Sequence, residues 1–341
     1  MIDLRSDTVT KPTPAMLQAM MSAEVGDDVF GEDPTVNLLQ ETVAEMFGKQ
    51  AGLFVTSGTM GNELCVKAHT QPGDEIILEQ EAHVYVYENG ATAGLCGVQC
   101  RTLPGKNGLF TAAQVTEAIR PGAYYLPQTK LICIENTHGR SAGSVIPLDG
   151  IIAIESVANA AGIPFHMDGA RVWNASVASG VSLNEYGKHF ASLSVCFSKG
   201  LGAPIGSMVL GTRDFIEKVR VYRKMWGGGM RQAGYLAAAA LYAVKNNITR
   251  LAEDHEKARK FADMVGSLKG FSIDQSQLQT NMVFIDIAGT GKTQNEVLET
   301  LYANGINMTP ERRTSIRAVM HLGVSMAEVT KAGETIQRIF R

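Results

Sequence analysis

The chain has 341 residues, of which 45% are apolar and 19% are charged, and its formal net charge is −3. This length and composition predict a globular protein with a sizeable core, divided into two domains. No basic stretch is dense enough to follow a phosphate backbone, so a nucleic-acid partner is not expected. The longest nearly apolar run, Gly234 to Val244, is too short to span a membrane and predicts a buried helix.

The cysteines and the N-terminus favour the cytoplasm. The five cysteines are scattered and odd in number, which suits free thiols in a reducing compartment. Cys96 and Cys100 have no second pair and no histidine cluster nearby to complete four ligands, so we predict no metal site. The first residues, Met1 to Arg5, contain no apolar signal-peptide core.

Short apolar runs alternate with amphipathic stretches from about Ala44 to Met208. The apolar runs on both faces are typical of parallel strands covered by helices. Strands that alternate with helices predict an α/β domain with a mostly parallel sheet. Strands are predicted at 53–56, 75–78, 131–134, 163–167 and 193–197, and a helix at 150–162.

The character of the sequence changes after about Lys245 and indicates a smaller α+β domain. We therefore expect a large domain at 1–246, which includes the N-terminal segment, and a small C-terminal domain at 247–341. The predicted elements of the small domain are a charge-rich helix at 247–268, a strand at 281–285, a helix at 293–303, a strand at 315–322 and a last helix from Ser325.

A segment rich in glycine and hydroxyl groups, Thr56 to Asn62, follows the first predicted strand and opens a helix. Small residues there let backbone N–H groups and the helix dipole hold a phosphate. The alternative is an ordinary strand-to-helix turn, because glycine-rich turns are common. The position is informative, since α/β sheets bind ligands beyond the carboxyl ends of their strands.

Two further strand ends carry one charged residue each. Asp168 follows the strand at 163–167, where a carboxylate can keep a heterocyclic nitrogen protonated; the alternative is a helix N-cap. Lys199 follows the strand at 193–197, where withdrawal from water makes an amine a better nucleophile. The alternative there is a lysine whose charge simply reaches solvent.

Together these features are the parts needed to hold pyridoxal phosphate. The lysine would bind the cofactor covalently, the acid would keep its pyridine nitrogen protonated, and the segment at 56–62 would anchor its phosphate. His83, after the strand at 75–78, supplies a flat ring that can stack on the pyridine. Its alternative is a loop histidine without a ligand.

Seven motifs, spread over nearly the whole chain, carry a family resemblance. They are Asp3 to Thr10, Gly26 to Thr35, Ser57 to Asn62, Glu135 to His138, His166 to Arg171, Ser198 to Pro204 and Arg223 to Gln232. With these motifs the chain resembles the threonine aldolases of the aspartate-aminotransferase superfamily. The resemblance implies the fold type I of pyridoxal-phosphate enzymes, a transferase-like α/β fold with a large domain and a small α+β domain.

The resemblance also implies a role in cofactor binding for each matching residue. Lys199 would carry pyridoxal phosphate, Asp168 would pair with the pyridine nitrogen and His83 would stack on the ring. The residues that would hold the phosphate are Ser57, Gly58 and Thr59.

For the substrate and the assembly, the resemblance implies a second set of residues. Arg171 would lie near the phenolic oxygen of the cofactor and the substrate carboxylate, and Ser6 and Arg317 would bind that carboxylate. The alternative is that Arg317 is a surface arginine and that Arg312 or Arg313 binds the carboxylate instead. Lys224 and Arg231 match residues that reach the phosphate from a neighbouring subunit. This implies a homo-oligomer, commonly a tetramer, with shared active sites.

Three positions depart from the family pattern, all at the substrate end. Tyr125 stands where many members have a histidine close to the substrate hydroxyl, so a substrate-binding role is expected of the phenol. Gly139 stands where an asparagine is usual. The segment Ala318 to Gly323 lacks the usual threonine and aspartate.

The implied reaction is cleavage of L-threonine, L-allo-threonine and related substrates such as phenylserine to glycine and an aldehyde. The alternative is another reaction of the same cofactor, β-elimination or racemisation. The general base is left open among His83, His138, Tyr125 and an ordered water. A rival from another class is a nucleotide-binding module at Gly289 to Thr293, but that pattern needs a leading glycine where Asp286 stands.

Overall fold

The computed structural model describes all residues from 1 to 341. Its strands are β1 (Ile2–Asp3), β2 (Ala51–Val55), β3 (Glu75–Glu79), β4 (Gln99–Leu103), β5 (Thr129–Glu135), β6 (Phe165–Gly169), β7 (Ser192–Cys196), β8 (Ser207–Gly211), β9 (Met282–Asp286), β10 (Ile306–Asn307), β11 (Thr309–Glu311) and β12 (Ser315–Val319). Its helices are α1 (Pro14–Met21), α2 (Pro34–Met46), α3 (Gly58–His69), α4 (His83–Val86), α5 (Ala112–Ala118), α6 (Leu148–Ala160), α7 (Val172–Ser179), α8 (Leu183–Lys188), α9 (Arg213–Met225), α10 (Gly234–Asn246), α11 (Leu251–Val265), α12 (Gln294–Ala303) and α13 (Met326–Ile339).

A seven-stranded sheet forms the centre of the molecule, in the order β2-β8-β7-β6-β5-β3-β4. Only β8 runs against its neighbours β2 and β7, and the other pairings are parallel. Strands β3, β6 and β7 are buried at every position, as expected of strands covered by helices on both faces. The predicted fold class is confirmed: an α/β domain with a mostly parallel sheet.

Each predicted strand of the sheet is present, within about two residues of its expected bounds. Two strands, β4 and β8, were not predicted. Strand β4 lies at the sheet edge and reads Gln99 to Leu103, with only partial burial, so its sequence lacks the apolar run that marks a central strand. The apolar run at 234–244 is the buried helix α10, as predicted.

The C-terminal part has its own small sheet and its own core. Strands β11, β12 and β9 form an antiparallel sheet, and a separate apolar cluster packs it against α11, α12 and α13. The first strand joins this part as well, because Ile2 pairs with Ile306 in parallel and Leu4 lies in the same cluster. The division at residues 246 and 247 stays a prediction.

The segment that resembles a nucleotide-binding loop has a local structural role. Thr293 is the N-cap of α12, and its hydroxyl and backbone exchange hydrogen bonds with Glu296 in a capping box. Lys292 is exposed to solvent. The threonine is thereby used to satisfy the helix terminus, so this segment offers no formed phosphate loop. No helix of the chain is both long and apolar enough to cross a membrane.

The contact between α11 and α7 contains a buried histidine. His255 on α11 is 3% exposed, and its Nε2 lies 3.0 Å from Oδ1 of Asn174 on α7. Burial lowers the pKa of His255 to about 4, although the nearby charge of Asp254 opposes the shift. The neutral imidazole is therefore the form that the folded state accommodates.

We expect His255 to make the fold sensitive to acid. Its pKa is lower in the folded chain than in the unfolded one, so stability present above about pH 6.5 is lost as the pH falls toward 4. A shift of this size corresponds to roughly 3 kcal/mol. His255→Gln keeps an N–H donor but cannot titrate. Its free energy of unfolding, measured in urea, should therefore fall less than that of the wild type between pH 7 and pH 4.5. Equal losses of unfolding free energy in the two proteins would contradict this assignment. His69 and His166 are present in both proteins, so their contributions to the pH dependence cancel.

Candidate active site

The carboxyl ends of the parallel strands meet at one edge of the sheet and surround two adjoining cavities. The inner cavity, of about 240 Å³, lies beyond β2, β6 and β7. The outer cleft, of about 590 Å³, lies between this edge and the small C-terminal sheet. His83 and Lys199 line both spaces, so a ligand in one can touch a ligand in the other.

One wall of the inner cavity is the N-terminus of α3. Ser57 caps the helix by accepting a hydrogen bond from the Met60 N–H. The N–H groups of Gly58 and Thr59 belong to the first turn, where no intrahelical acceptor exists, and both residues line the cavity. A Cβ on Gly58 would come within 2.8 Å of the Cys196 sulfur. Only glycine lets the helix start this close to β7, and the free donors suit an anion.

Asp168 lies at the end of β6, buried in the wall of the inner cavity. Its Oδ1 accepts the Ala170 N–H at 3.0 Å, and its Oδ2 accepts the Asn62 side chain at 2.9 Å. It is not the N-cap of the following helix, because α7 begins after Arg171, which makes no side-chain cap. The carboxylate is held in place by two donors and can still accept a third.

Lys199 sits in the turn that follows β7. The turn closes with Gly202, whose N–H donates to the Lys199 carbonyl at 2.8 Å and whose φ is +79°. A left-handed backbone at this point favours glycine. The lysine is half-buried and lines both cavities, rather than reaching out along the protein surface.

His83 starts the short helix α4 and is fixed from two sides. Its backbone N–H donates to Glu135 Oε2 at 2.8 Å, and its ring Nδ1 lies 2.9 Å from Glu88 Oε1. Burial alone would lower the pKa of His83, but the hydrogen bond to Glu88 and the charges of Asp168 and Glu135 outweigh it and raise the pKa. The imidazolium is therefore favoured beside the cavity.

His83, Glu88 and Asp168 form a compact cluster whose ligand-type atoms all lie within 4.8 Å of one another. The Asn62 amide donates to Glu88 at 2.8 Å and to Asp168 at 2.9 Å. The Asn62 amide thus lies between the two carboxylates, and its hydrogen bonds stabilise their negative charge without a metal ion.

The outer cleft contains a buried ion pair between Arg171 and Asp7. The Arg171 Nε and Nη2 donate to the two Asp7 carboxylate oxygens at 2.8 and 2.6 Å, which leaves Nη1 for another acceptor. Burial would raise the pKa of Asp7, but the charge of Arg171 and its hydrogen bonds hold that pKa below the usual value. The pair is therefore ionised and fixes one edge of the guanidinium.

Ser6 and Arg317 lie in the same cleft as Arg171. The Ser6 hydroxyl accepts from the Thr8 backbone at 3.2 Å and from the Thr8 hydroxyl at 2.7 Å. Arg317 Nη1 is 3.6 Å from Glu311 Oε2, and its Nε is buried without a partner. Burial lowers the pKa of Arg317, and the like charge of Arg171 adds to this. A carboxylate placed between the two arginines would relieve both effects.

Several cleft residues were not singled out from the sequence. Arg140 forms an ion pair with Glu311, and its Nη1 also donates to the Tyr87 hydroxyl at 2.9 Å. These three come from separate loops and a short strand, so no local pattern relates them. Two of the cleft residues could have been found from the sequence. Asp7 lies inside the motif at Asp3 to Thr10, and Glu135 ends β5, one of the predicted strands.

Other predicted residues do not line the cleft of this chain. His138 is buried behind Glu135, with Nε2 at 3.2 Å from Glu79 and 3.9 Å from Glu135. Tyr125 is 74% exposed on the loop before β5. Lys224 and Arg231 are both exposed, and Arg231 pairs with Asp27 at 2.9 Å. Roles in catalysis or binding for these residues stay predictions.

The residues that meet here fit pyridoxal phosphate in their chemistry. The free N–H groups of α3 suit the phosphate, and the Asp168 carboxylate suits a protonated pyridine nitrogen. Lys199 offers the amine for the aldehyde, and His83 offers a flat ring beside it. These groups line one cavity, and the two arginines lie in the space that adjoins it.

Comparison with known proteins agrees with this chemistry. The family model of beta-eliminating lyases matches residues 3–288. Low-specificity L-threonine aldolase 1 of Arabidopsis thaliana is 43% identical to the chain over 96% of its length and 93% of the plant protein. The low specificity L-threonine aldolase of Escherichia coli (strain K12) is 41% identical, over 97% of each protein.

Solved structures show the same fold at much lower sequence identity. A putative L-allo-threonine aldolase from Listeria monocytogenes superposes with a TM-score of 0.82 at 20% identity, over 99% of this chain and 95% of its own. The threonine aldolase of Leishmania major gives a TM-score of 0.86 at 18% identity, over the full length of both chains. The chain belongs to the beta-eliminating lyase family and, within it, to the pyridoxal-phosphate-dependent threonine aldolases.

Proposed function

We propose that this protein is a low-specificity L-threonine aldolase, a lyase that cleaves L-threonine and L-allo-threonine to glycine and acetaldehyde. The observation that carries the proposal is the meeting of a cofactor cavity and an arginine-lined cleft at Lys199 and His83. Related β-hydroxy-α-amino acids such as phenylserine belong to the same substrate class. The names of the relatives support this reaction over the alternatives, β-elimination and racemisation.

When bound, pyridoxal phosphate supplies an electron-accepting ring for the electron pair released as the Cα–Cβ bond breaks. Lys199 would hold the cofactor covalently until substrate arrives. Asp168 would keep the proton on the pyridine nitrogen, because a fixed carboxylate at that atom favours the charged form. Residues 57–59 would bind the phosphate through the N-terminus of α3, and His83 would cover one face of the ring.

The substrate carboxylate would bind between Ser6, Arg171 and Arg317. Arg171 is held rigidly by Asp7, so its free Nη1 has a defined position. Two cations at one end of the substrate would fix its orientation, and this orientation would decide which bond of Cα breaks. Positioning of this kind is how one cofactor is directed to one reaction.

The general base would be His83 or a water that His83 holds. His83 lines the cleft, whereas His138 is buried behind Glu135 and Tyr125 lies in solvent within this chain. A phenol is moreover a weak base near neutrality. A raised pKa keeps His83 protonated more often, so proton removal would require either the neutral fraction or an ordered water as the acceptor.

The chain would assemble into a homo-oligomer, a tetramer, with active sites shared between subunits. Lys224 and Arg231 sit beside exposed apolar side chains: Phe30 is 73% exposed and Val221 is 62% exposed, and the Arg231 guanidinium lies 6.0 Å from the Phe30 ring centre. Cations surrounded by exposed apolar groups are typical of a protein interface. The cytoplasm is the location we propose, which agrees with five unpaired cysteines.

The reaction itself is tested by supplying each isomer separately and coupling the released acetaldehyde to alcohol dehydrogenase. We expect both L-allo-threonine and L-threonine to yield aldehyde, with the allo isomer favoured. The reason is that the arginines would hold only the carboxylate, which the two isomers share, so discrimination between the isomers should be loose. Lys199→Ala is the matched inactive control. Release of pyruvate from serine, or racemisation of alanine, without aldehyde from either isomer would contradict the aldolase assignment.

Asp168→Asn tests the electron sink. The variant keeps the shape and the hydrogen bond from Ala170 but cannot hold a charge at the pyridine nitrogen. We expect the protein to fold and bind pyridoxal phosphate, while kcat falls by about 100-fold or more, as for the loss of one charge-stabilising group. Circular dichroism and cofactor absorption serve as controls. Near-normal turnover would show that this aspartate does not supply the sink.

Shared sites are tested by mixing two defective variants. Lys199→Ala lacks the amine, and Arg231→Ala lacks the cation predicted to reach a neighbouring site. In a mixed pair of subunits one site regains both groups, so equal mixing should restore up to about a quarter of wild-type activity. Subunit exchange is verified by mass spectrometry of differently tagged chains. If exchange is complete and activity does not return, the two residues do not act in one shared site.

A further inference from the structure

A pair of buried carboxyl groups lies beneath His83. Glu63 is on α3 and is 1% exposed, and Glu88 follows α4 and is 2% exposed. The two groups are neighbours, because Thr92, one turn after Glu88, donates to Glu63, and Asn62, next to Glu63 on α3, donates to Glu88. Glu88 lines the inner cavity, but Glu63 lies behind it. Glu63 has no role in the proposed reaction, and a buried carboxyl group without such a role requires an explanation.

The partners of the two carboxyl groups differ. Glu88 Oε1 accepts from Asn62 at 2.8 Å and lies 2.9 Å from the His83 Nδ1. Glu88 Oε2 is buried and has no hydrogen-bond partner. Glu63 accepts the Thr92 hydroxyl at 2.8 Å and the Cys96 thiol at 3.4 Å. Glu88 therefore has a cationic neighbour, and Glu63 has only neutral donors.

Two adjacent buried carboxyl groups cannot both be ionised, so the pair must retain a proton. Burial raises the pKa of Glu63, and the nearby Glu88 raises it further. Burial raises the pKa of Glu88 as well, but the hydrogen bond from His83 opposes this shift. The imidazolium favours the charge on Glu88, so the retained proton belongs on Glu63.

The other titratable groups around Glu63 leave this assignment unchanged. The thiols that face it are raised in pKa, chiefly by burial, and stay neutral; they are Cys65, Cys96, Cys100 and Cys133. Asp168 adds negative charge next to Glu88, where Asn62 donates to both carboxylates. Lys67 lies one turn along α3 and acts on Cys96, but it makes no ion pair with Glu63.

We propose that Glu63 is a neutral carboxylic acid that donates a hydrogen bond to Glu88 and so positions Glu88 as the anionic partner of His83. The missing partner of Glu88 Oε2 is then the Glu63 hydroxyl. Glu88 in turn holds the N–H on Nδ1 of His83 and fixes the orientation of its ring, as carboxylates do for functional histidines. Glu63 is thus a positioning residue that acts through Glu88. Its importance for catalysis rests on the proposed function of His83, but its protonation does not.

The protonation is tested directly by infrared spectroscopy of the cofactor-loaded protein. A neutral buried carboxylic acid shows a C=O stretching band that shifts in heavy water. We expect this band at neutral pH in the wild type and in the control Glu45→Gln, which changes an exposed glutamate. It should be absent in Glu63→Gln. In the wild type and in Glu45→Gln it should persist to a pH above the ordinary glutamate range. Absence of the band in the wild type, or its survival in Glu63→Gln, would overturn the proposal.

The positioning role is tested by the titration of His83 in nuclear magnetic resonance spectra of histidine-labelled protein. Glu63→Gln keeps a donor to Glu88 and should leave the His83 midpoint unchanged. Glu63→Leu fills the space but removes the donor, so Glu88 gains proton affinity and His83 loses its anionic partner. The His83 midpoint should then fall by about one pH unit, a roughly tenfold weaker hold on its proton.

Thr92→Val is the matched structural control, because it removes a different hydrogen bond to Glu63 and leaves the contact with Glu88. The proposal fails if Thr92→Val shifts His83 as far as Glu63→Leu does, or if Glu63→Gln does not restore the wild-type midpoint. Neither measurement depends on turnover. A wild-type protein that shows the infrared band but releases no aldehyde would refute the proposed reaction and leave the assignment of Glu63 standing.

Discussion

The buried ion pair between Asp7 and Arg171 joins the parts of the molecule that form the cleft. Asp7 belongs to the N-terminal segment and is fully buried, and Arg171 follows β6 of the central sheet. Asn281, next to β9 of the small sheet, reaches the same carboxylate at 3.4 Å. A buried carboxylate is tolerated only with a charged partner, and removing one member of such a pair costs about 3–5 kcal/mol. The N-terminal segment must therefore pack against the central sheet at Arg171, and this places Ser6 in the cleft.

A layer of buried acids underlies the cations of the cleft. Glu79, Glu88, Glu135 and Asp168 are all nearly inaccessible, and each lies within hydrogen-bonding distance of at least two donors. Glu135 accepts the backbone N–H groups of His83 and of residue 139. Burial alone would lower the pKa of His138, but the acids beside it raise the pKa, so it helps to balance their charge. The acids thus fix loops and rings from below, and the arginines above remain available to an anionic substrate group.

The reversed strand β8 explains the shape of the inner cavity. Because β8 runs against β7, the chain turns back directly after Lys199, and the turn residues Pro204 and Ile205 form part of the cavity wall. The close approach of α3 to β7 requires small residues on the helix: a Cβ on Gly61 would come within 2.3 Å of the Ser194 hydroxyl. Lysine, aspartate and helix N-terminus are brought into one space by this local packing.

Local pattern in the sequence was enough to predict the type and order of the main elements and the residues at the strand ends. Hydrophobic periodicity reports burial directly, and parallel strands place their carboxyl ends at one edge, so the meeting of Asp168, Lys199 and residues 57–59 followed without coordinates. The edge strand β4 was not predicted, because its residues are only half-buried and form no apolar run.

Only the tertiary structure decided which distant side chains pair. Asp7 and Arg171 are 164 residues apart, and no periodicity connects them. No sequence pattern singled out Glu63 or Glu88, and only the packing of the folded chain removes both from water. The tertiary structure also shows that Tyr125, Lys224 and Arg231 lie outside the cleft of their own chain. The physical reason is that charge pairing and desolvation depend on position in space, whereas a sequence pattern records only which face of its own helix or strand a residue occupies.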